Sequence, residues 1–382
     1  MAQAPSADDS RISQLDGIRG LAIALVLVWH DVVGLVQTTP GSAAAYVMRA
    51  LSFTWAGVDL FFVLSGFLIG GILLDNRGSG CYFSTFYIRR ACRIFPLYYG
   101  VLALFLLCAA LVPQQGSTDW QRWLFENAAP GWAYASYLQN FTMVRSGMGA
   151  NWMAVTWSLA VEEQFYLVTP LLVWLVPVRM LPYVLVTLIA AAPVTRIALH
   201  VWLPPPDIAS YVLLPARWDS LFLGVLAAWM WRRPDGLNTL RRAVPLLRLI
   251  GLAGLAVLAG LMIARQNMGS FGMAAGGYTV IAICSLVLVL TAMLAPNGLV
   301  QRILRAKPLV WLGTISYGVY LFHRAVTGVM HGVWFGRSPR IDDLAGAVVT
   351  LLALGVTLTL AQLSAHFFER PIVNFGRRRA RY

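Results

Sequence analysis

Nine ionisable residues interrupt stretches of this sequence that are otherwise apolar: Arg19, His30, Asp59, Glu162, Glu163, Arg217, Asp219, His323 and Arg324. A charge held at the middle of a bilayer costs roughly 2.5–3.5 kcal/mol on insertion scales. Groups of this kind persist by pairing with one another around a polar cavity, which marks them as a candidate functional site. Arg19 and His30 are eleven residues apart, three helical turns, so on a regular helix they share a face about 16 Å apart. A long substrate with an anionic head and a reactive far end would span that distance. Arg90 and Arg93 are one turn apart, with Arg89 beside them, and two guanidiniums on one face suit a phosphate through bidentate hydrogen bonds. Each signal also has a packing alternative. The three arginines would serve equally as membrane anchors, His30 as a structural core residue, and Glu162 with Glu163 as an internal ion pair. Ser316, Tyr320 and His323 share one helix face, as a packing stripe also would.

The elements that position these residues are membrane helices. Of the 382 residues 59% are hydrophobic and 12% charged, against about 25% charged in a soluble domain. Apolar runs of about 17–25 residues, the length that crosses a bilayer, fall near 17–36, 52–74, 95–112, 155–176, 181–201, 210–231, 245–263, 273–295, 308–334 and 344–369. The expected fold is therefore all-α and integral to the membrane, with about ten transmembrane helices around a polar intramembrane cavity. Residues 113–154 form the longest connection and carry Trp120, Trp123, Trp132, Tyr134 and Tyr137, a composition that suits an interfacial or re-entrant piece.

The net charge of +13 does not point to nucleic acid, because the arginines lie in short bursts between apolar runs and not on one basic face. With the N-terminus placed inside, the outer connections hold six basic residues, Arg49, Arg122, Arg145, Arg265, Arg337 and Arg340, and the inner connections and tail hold eighteen. This asymmetry predicts both termini in the cytoplasm, and the expected location is the cytoplasmic (inner) membrane, as a multi-pass chain. Residues 1–10 are expected to be a flexible N-terminus, 11–376 a single membrane domain, and 377–382 an Arg-rich cytoplasmic tail. The first apolar helix is expected to stay uncleaved, since Asp8 and Asp9 precede it and His30-Asp31 interrupts it. Cys81, Cys92, Cys108 and Cys284 show no CxxC and no metal-type spacing, so neither a metal site nor a disulfide framework is expected.

Six blocks in order resemble the acyltransferase-3 family of multi-spanning membrane acyltransferases, from Arg11 to about Asn374. They are Leu15 to Ala22 followed by His30; Gly57 to Ile69; the paired-arginine block Arg89 to Tyr99; Trp157 to Leu167; Ser316-Tyr317 through Tyr320-Leu321-Phe322-His323; and Glu369-Arg370-Pro371. A shorter match is Arg217-Trp218-Asp219. This sequence departs from the family after His323, where Arg324, Ala325 and Val326 replace the usual aromatic residue and proline. The resemblance implies transfer of acetyl or a related acyl group from acyl-CoA to a hydroxyl, usually of a carbohydrate such as a surface polysaccharide or lipid-linked sugar. A macrolide or another small hydroxylated metabolite is the alternative acceptor, and a transporter or flippase the rival class. The resemblance implies His30 as the catalytic base and Arg90 and Arg93 as acyl-CoA-binding residues; Arg19, as a cation at the cytoplasmic mouth, is expected to join them at the phosphates. Asp59, Glu162 and Glu163 are candidates to orient the imidazole, with no choice among the three. Arg217, Asp219, Tyr317 and His323 are expected to bind substrate. No tightly bound cofactor is expected; the partners are acyl-CoA, the hydroxylated acceptor and the bilayer.

Overall fold

Inside a bilayer every backbone N–H and C=O must find its partner within the protein, and a helix satisfies them within one segment. The computed structural model, which describes residues 13–112, 116–203, 208–295 and 298–382, is helical throughout. Among the described residues the one extended pairing is a single bridge between Val36 and Ile341. The expected flexible stretch 1–10 and Arg11 lie outside the described residues.

Eleven helices carry the architecture: α1 (Ser13–Leu27), α2 (Gly57–Asp75), α3 (Tyr82–Leu111), α4 (Trp157–Leu175), α5 (Leu181–Trp202), α6 (Trp218–Trp231), α7 (Val244–Ile263), α8 (Tyr278–Leu294), α9 (Ser316–Phe335), α10 (Leu344–Ser364) and α11 (Arg370–Arg379). Six helical stretches, Ala43–Asp75, Tyr82–Leu111, Leu181–Trp202, Val244–Ile263, Met273–Leu294 and Leu344–Arg379, are long and apolar enough to cross a membrane. The other four expected spans are shorter or more polar. Helices α1 and α6 have 15 and 14 residues, short of the usual 17 or so. Helix α4 carries Glu162 and Glu163, and α9 carries His323, Arg324 and His331. These four helices hold Arg19, Glu162, Glu163, Asp219, His323 and Arg324, whereas Asp59, the α3 arginines and Arg196 fall in stretches that are apolar enough to span.

Several expected runs are divided. The run 308–334 breaks at Ile315 into Lys307–Thr314 and α9, because the first piece is pressed onto α1. Gly17 and Gly20 lie against the carbonyls of Leu304 and Leu309, and Gly313 against that of Asp16, with no room for a Cβ at any of the three. The run 95–112 starts earlier, at Tyr82, so Arg89, Arg90 and Arg93 lie within the helix. The run 210–231 is a short helix, a 3-10 turn over Leu214–Arg217, and then α6. Helices α2 and α6 cross at Gly66 and Gly224, whose Cα atoms meet the opposite backbone directly.

The surface agrees with a lipid solvent. Along α7, Leu246, Leu249, Leu252 and Leu255 are 57–66% exposed, a contiguous apolar face of the kind that marks a membrane contact. The connection at 116–154 is folded, with short helices over Asp119–Phe125, Gly131–Ala135, Gln139–Ser146 and Asn151–Ala154. Its Trp120, Trp123 and Leu124 cover Gly328 and Gly332 of α9. The Asp119 carboxylate accepts from the Ser338 N–H at 2.7 Å, which lowers its pKa and ties this cap to the loop after α9.

Candidate active site

A cavity of about 640 Å³ opens where α1, α2, α3, α4, α9 and α11 converge, within the usual range for an extended small-molecule ligand of about 300–1,000 Å³. Helical spacing of three and four aims each lining set at it. Helix α2 contributes Phe62, Ser65 and Ile69; α4 contributes Ser158, Glu162 and Tyr166; α9 contributes Ser316, Tyr317 and Tyr320. Arg19 comes from the face of α1 opposite its glycine contacts, Arg90 and Arg93 from one face of α3, and Arg370, Asn374 and Arg377 from α11.

Five guanidiniums line the cavity, those of Arg19, Arg90, Arg93, Arg370 and Arg377, against three carboxylates, Asp16, Glu162 and Glu369. The carboxylates are engaged: Arg19 Nη1 lies 2.8 Å from Asp16, Ser65 Oγ donates to Glu162 at 2.6 Å, and Ser364 Oγ donates to Glu369 at 2.9 Å. The surplus of positive charge suits an anion with several charged groups, because low-dielectric walls focus the field. Arg89 does not line this cavity; it lines a smaller pocket with Arg90, Arg93 and Arg377, donates from Nε to the Ala380 carbonyl at 3.0 Å and lies 5.1 Å from the centre of the Tyr382 ring.

Tyr320 also lines the cavity. Its hydroxyl donates to the Val155 carbonyl at 2.6 Å and lies 2.6 Å from Ser158 Oγ. Three residues further along α9, just under a full turn, is His323, fully buried, whose Nε2 sits 3.0 Å from Nδ1 of His30. Neither imidazole lines the cavity. The eleven-residue spacing from Arg19 to His30 runs out of α1 into a π-helical turn over Val28–Val33, where the regular α period no longer applies, and of the two residues only Arg19 lines the cavity. Asp31 follows His30, accepts from Thr327 at 3.2 Å, and lies near Arg324, which hydrogen-bonds Asn151 and stacks over Trp123.

The other expected site residues fall elsewhere. Asp59 pairs with Arg217, and Asp219 pairs with Arg196 at 2.9 Å, all four side chains being unexposed. Ser220 Oγ donates to Asp59 at 2.8 Å and Thr279 Oγ1 to Asp219 at 2.7 Å. This two-cation, two-anion cluster joins α2, α5, α6 and α8 and does not line the cavity. Glu163 also lies off the cavity, and its Oε1 has no hydrogen-bond partner among the described residues. No carboxylate hydrogen-bonds His30 among the described residues; its ring partner is His323. Tyr317 lines the cavity and donates to the Ile94 carbonyl at 2.8 Å.

Sequence reasoning left out Arg196, although it sits within the run 181–201 and meets the same test of a charge in an apolar stretch. It also left out Arg370 and Arg377 as cavity residues. Arg370 lies in a recognised block and Arg377 was assigned to the tail, but only the return of α11 along α3 brings them to the site.

Comparison with known families finds that residues 12–366 match a family described as an acyltransferase domain. Among curated proteins the chain is 26% identical over 383 residues to the O-acetyltransferase OatA of Staphylococcus aureus, covering 95% of this chain and 57% of that protein. It is 26% identical over 385 residues to the peptidoglycan O-acetyltransferase OatA of Listeria monocytogenes, covering 96% and 56%. To the putative peptidoglycan O-acetyltransferase YrhL of Bacillus subtilis it is 26% identical over 397 residues, covering 96% and 55%. The chain thus spans little more than half the length of these relatives. No solved structure matches it.

Proposed function

Since the chain belongs to the acyltransferase-domain family, we propose that it moves an acetyl or other short acyl group from acyl-CoA to a hydroxyl of a carbohydrate, a peptidoglycan sugar being the first candidate. In this reading it spans the cytoplasmic membrane about ten times, with both termini and the arginine-rich mouth of the cavity on the cytoplasmic side.

The observation that carries the reading is the cavity itself, lined by five guanidiniums and by Tyr320, whose ring lies beside the His30–His323 pair. The CoA phosphates dock among Arg90, Arg93, Arg19, Arg370 and Arg377, where guanidinium forks make charge-assisted bonds. The pantetheine arm follows the line from Ser65 and Glu162 toward Ser158 and Tyr320. The thioester then reaches the imidazole past the Tyr320 ring, whose centre is 6.1 Å from that of His323. His30 takes the proton of the acceptor hydroxyl as its oxygen attacks the thioester carbon. The C–O bond forms, the C–S bond breaks, and the proton passes from the imidazolium to the departing thiolate, giving ester and free CoA. General-base help of this kind is worth about 10²–10⁴ in rate. The cluster of Asp59, Arg217, Asp219 and Arg196 holds the helices and touches neither substrate. The names of the relatives support a sugar acceptor.

The test is transfer of radiolabel from acetyl-CoA to muropeptides or other sugar acceptors by the purified protein in nanodiscs. Label should appear as base-labile O-acetyl ester with the wild type and fall by about 10² or more with His30→Ala. Label on no sugar acceptor would overturn the acceptor class, and undiminished transfer by His30→Ala would remove the imidazole from the chemistry.

A further inference from the structure

A neutral imidazole has one N–H and one bare nitrogen, and the neighbours of each nitrogen decide which is which. His323 Nδ1 faces two backbone carbonyl oxygens, Val319 at 3.1 Å and Tyr320 at 2.9 Å. Both only accept, so Nδ1 carries the hydrogen and Nε2 carries the lone pair. That Nε2 faces His30 Nδ1 at 3.0 Å. Two bare nitrogens at this distance would repel, so His30 Nδ1 is the donor. The lone pair of His30 is then on Nε2, the atom turned away from the pair.

We infer that His323 is a positioning residue that holds His30 in the Nδ1–H tautomer, leaving His30 Nε2 free to take the acceptor's proton. The inference rests on the reading of His30 as the base. The ordering group in this site is a second imidazole, placed where a catalytic triad has a carboxylate. The carbonyls anchoring His323 belong to its own helix, so the tautomer is set by α9 alone and transmitted through one hydrogen bond to His30 in the π turn that follows α1. Complete burial of His323 keeps water from offering Nε2 another donor. When His30 Nε2 is protonated in the reaction, the Nδ1 proton can shift toward His323 Nε2, so the positive charge is shared over two rings without a carboxylate.

Two measurements test this. Nitrogen-15 NMR of the full-length protein labelled at its histidine rings reads tautomers directly, with His30→Gln and His323→Gln assigning the signals among five histidines. The wild type should show bare Nε2 on both His30 and His323; a protonated Nε2 on His30 would overturn the inference. This readout does not depend on activity, so it stands apart from failure of the proposed reaction. In turnover, the side-chain oxygen of His323→Gln can still accept from His30, whereas His323→Leu cannot. Expected is a kcat at least about 10-fold lower for the Leu variant than for the Gln variant, with the acyl-CoA dissociation constant within about twofold in both. Equal losses in the two variants, or a matching loss of acyl-CoA affinity, would reduce His323 to a packing residue.

Discussion

Arg89 and Arg90 are adjacent in sequence yet their side chains part: Arg90 lines the large cavity, while Arg89 donates to the carbonyl of Ala380 at 3.0 Å. Successive residues on a helix lie about 100° apart, so Arg90 and Arg93 share the large cavity while Arg89 meets them only at a smaller pocket beside Arg377 and Tyr382. Arg90→Gln and Arg93→Gln are each expected to raise the acyl-CoA dissociation constant about 10- to 100-fold, the loss of one charge-assisted bond. Lysine at either position should restore part of the affinity, because it keeps the charge and loses the fork. Arg89→Gln should leave affinity within about twofold. Equal weakening by all three would mean that net charge alone matters.

The Asp59–Arg217 pair yields a stability prediction. With both side chains unexposed, removing one partner leaves the other charge buried, which costs about 3–5 kcal/mol. Asp59→Asn and Arg217→Met should each lower the thermal midpoint markedly in detergent, and the double variant should recover part of the loss. Single variants as stable as the wild type would show that the cluster does not hold the helices.

Gly66 tests the crossing of α2 and α6. A Cβ there would run into the Leu221 carbonyl of α6, so Gly66→Ala must push two backbones apart, with a cost of about 1–3 kcal/mol or more. Gly100, which has open space around it, is the control, and Gly100→Ala should be neutral or slightly stabilising. Comparable melting of the two variants would contradict the close approach.

For topology, cysteine placed in a cysteine-free background at exposed Arg381 should be protected from an impermeant reagent in intact cells, and at exposed Ser146 it should react. Labelling at 381 from outside would invert the arrangement and move the arginine-lined mouth away from the cytoplasmic pool of acyl-CoA.

Much of this was legible because hydropathy and local spacing are properties of single segments. The pair Arg90 and Arg93 and the face of Ser316 and Tyr320 follow from helical period alone. Arg19 and His30 were expected on one face of a regular helix, and His30 lies instead in a π turn over Val28–Val33. Such a turn comes from packing, and nothing in Val28–Val33 announces it. The sites of Arg370 and Arg377 were hidden because a basic C-terminal stretch reads as a tail until its helix is seen to return.

The residues of this chain by themselves determine that it is helical, that its environment is apolar, and that a cationic group of α3 can meet an anion. These depend on side-chain transfer energies and on contacts within one or two turns. Which buried ions pair, and which imidazole partners His30, depended on tertiary structure. His30 and His323 are 293 residues apart, and Asp59 and Arg217 are 158. Several of the acids and bases are chemically interchangeable as partners. Backbone contact at Gly17, Gly20 and Gly313 lays α1 on the short helices that precede α9, and contact at Gly66 and Gly224 lays α2 on α6; packing between distant segments of this kind brings Asp59 to Arg217 and leaves His30 to face a second imidazole in place of a carboxylate.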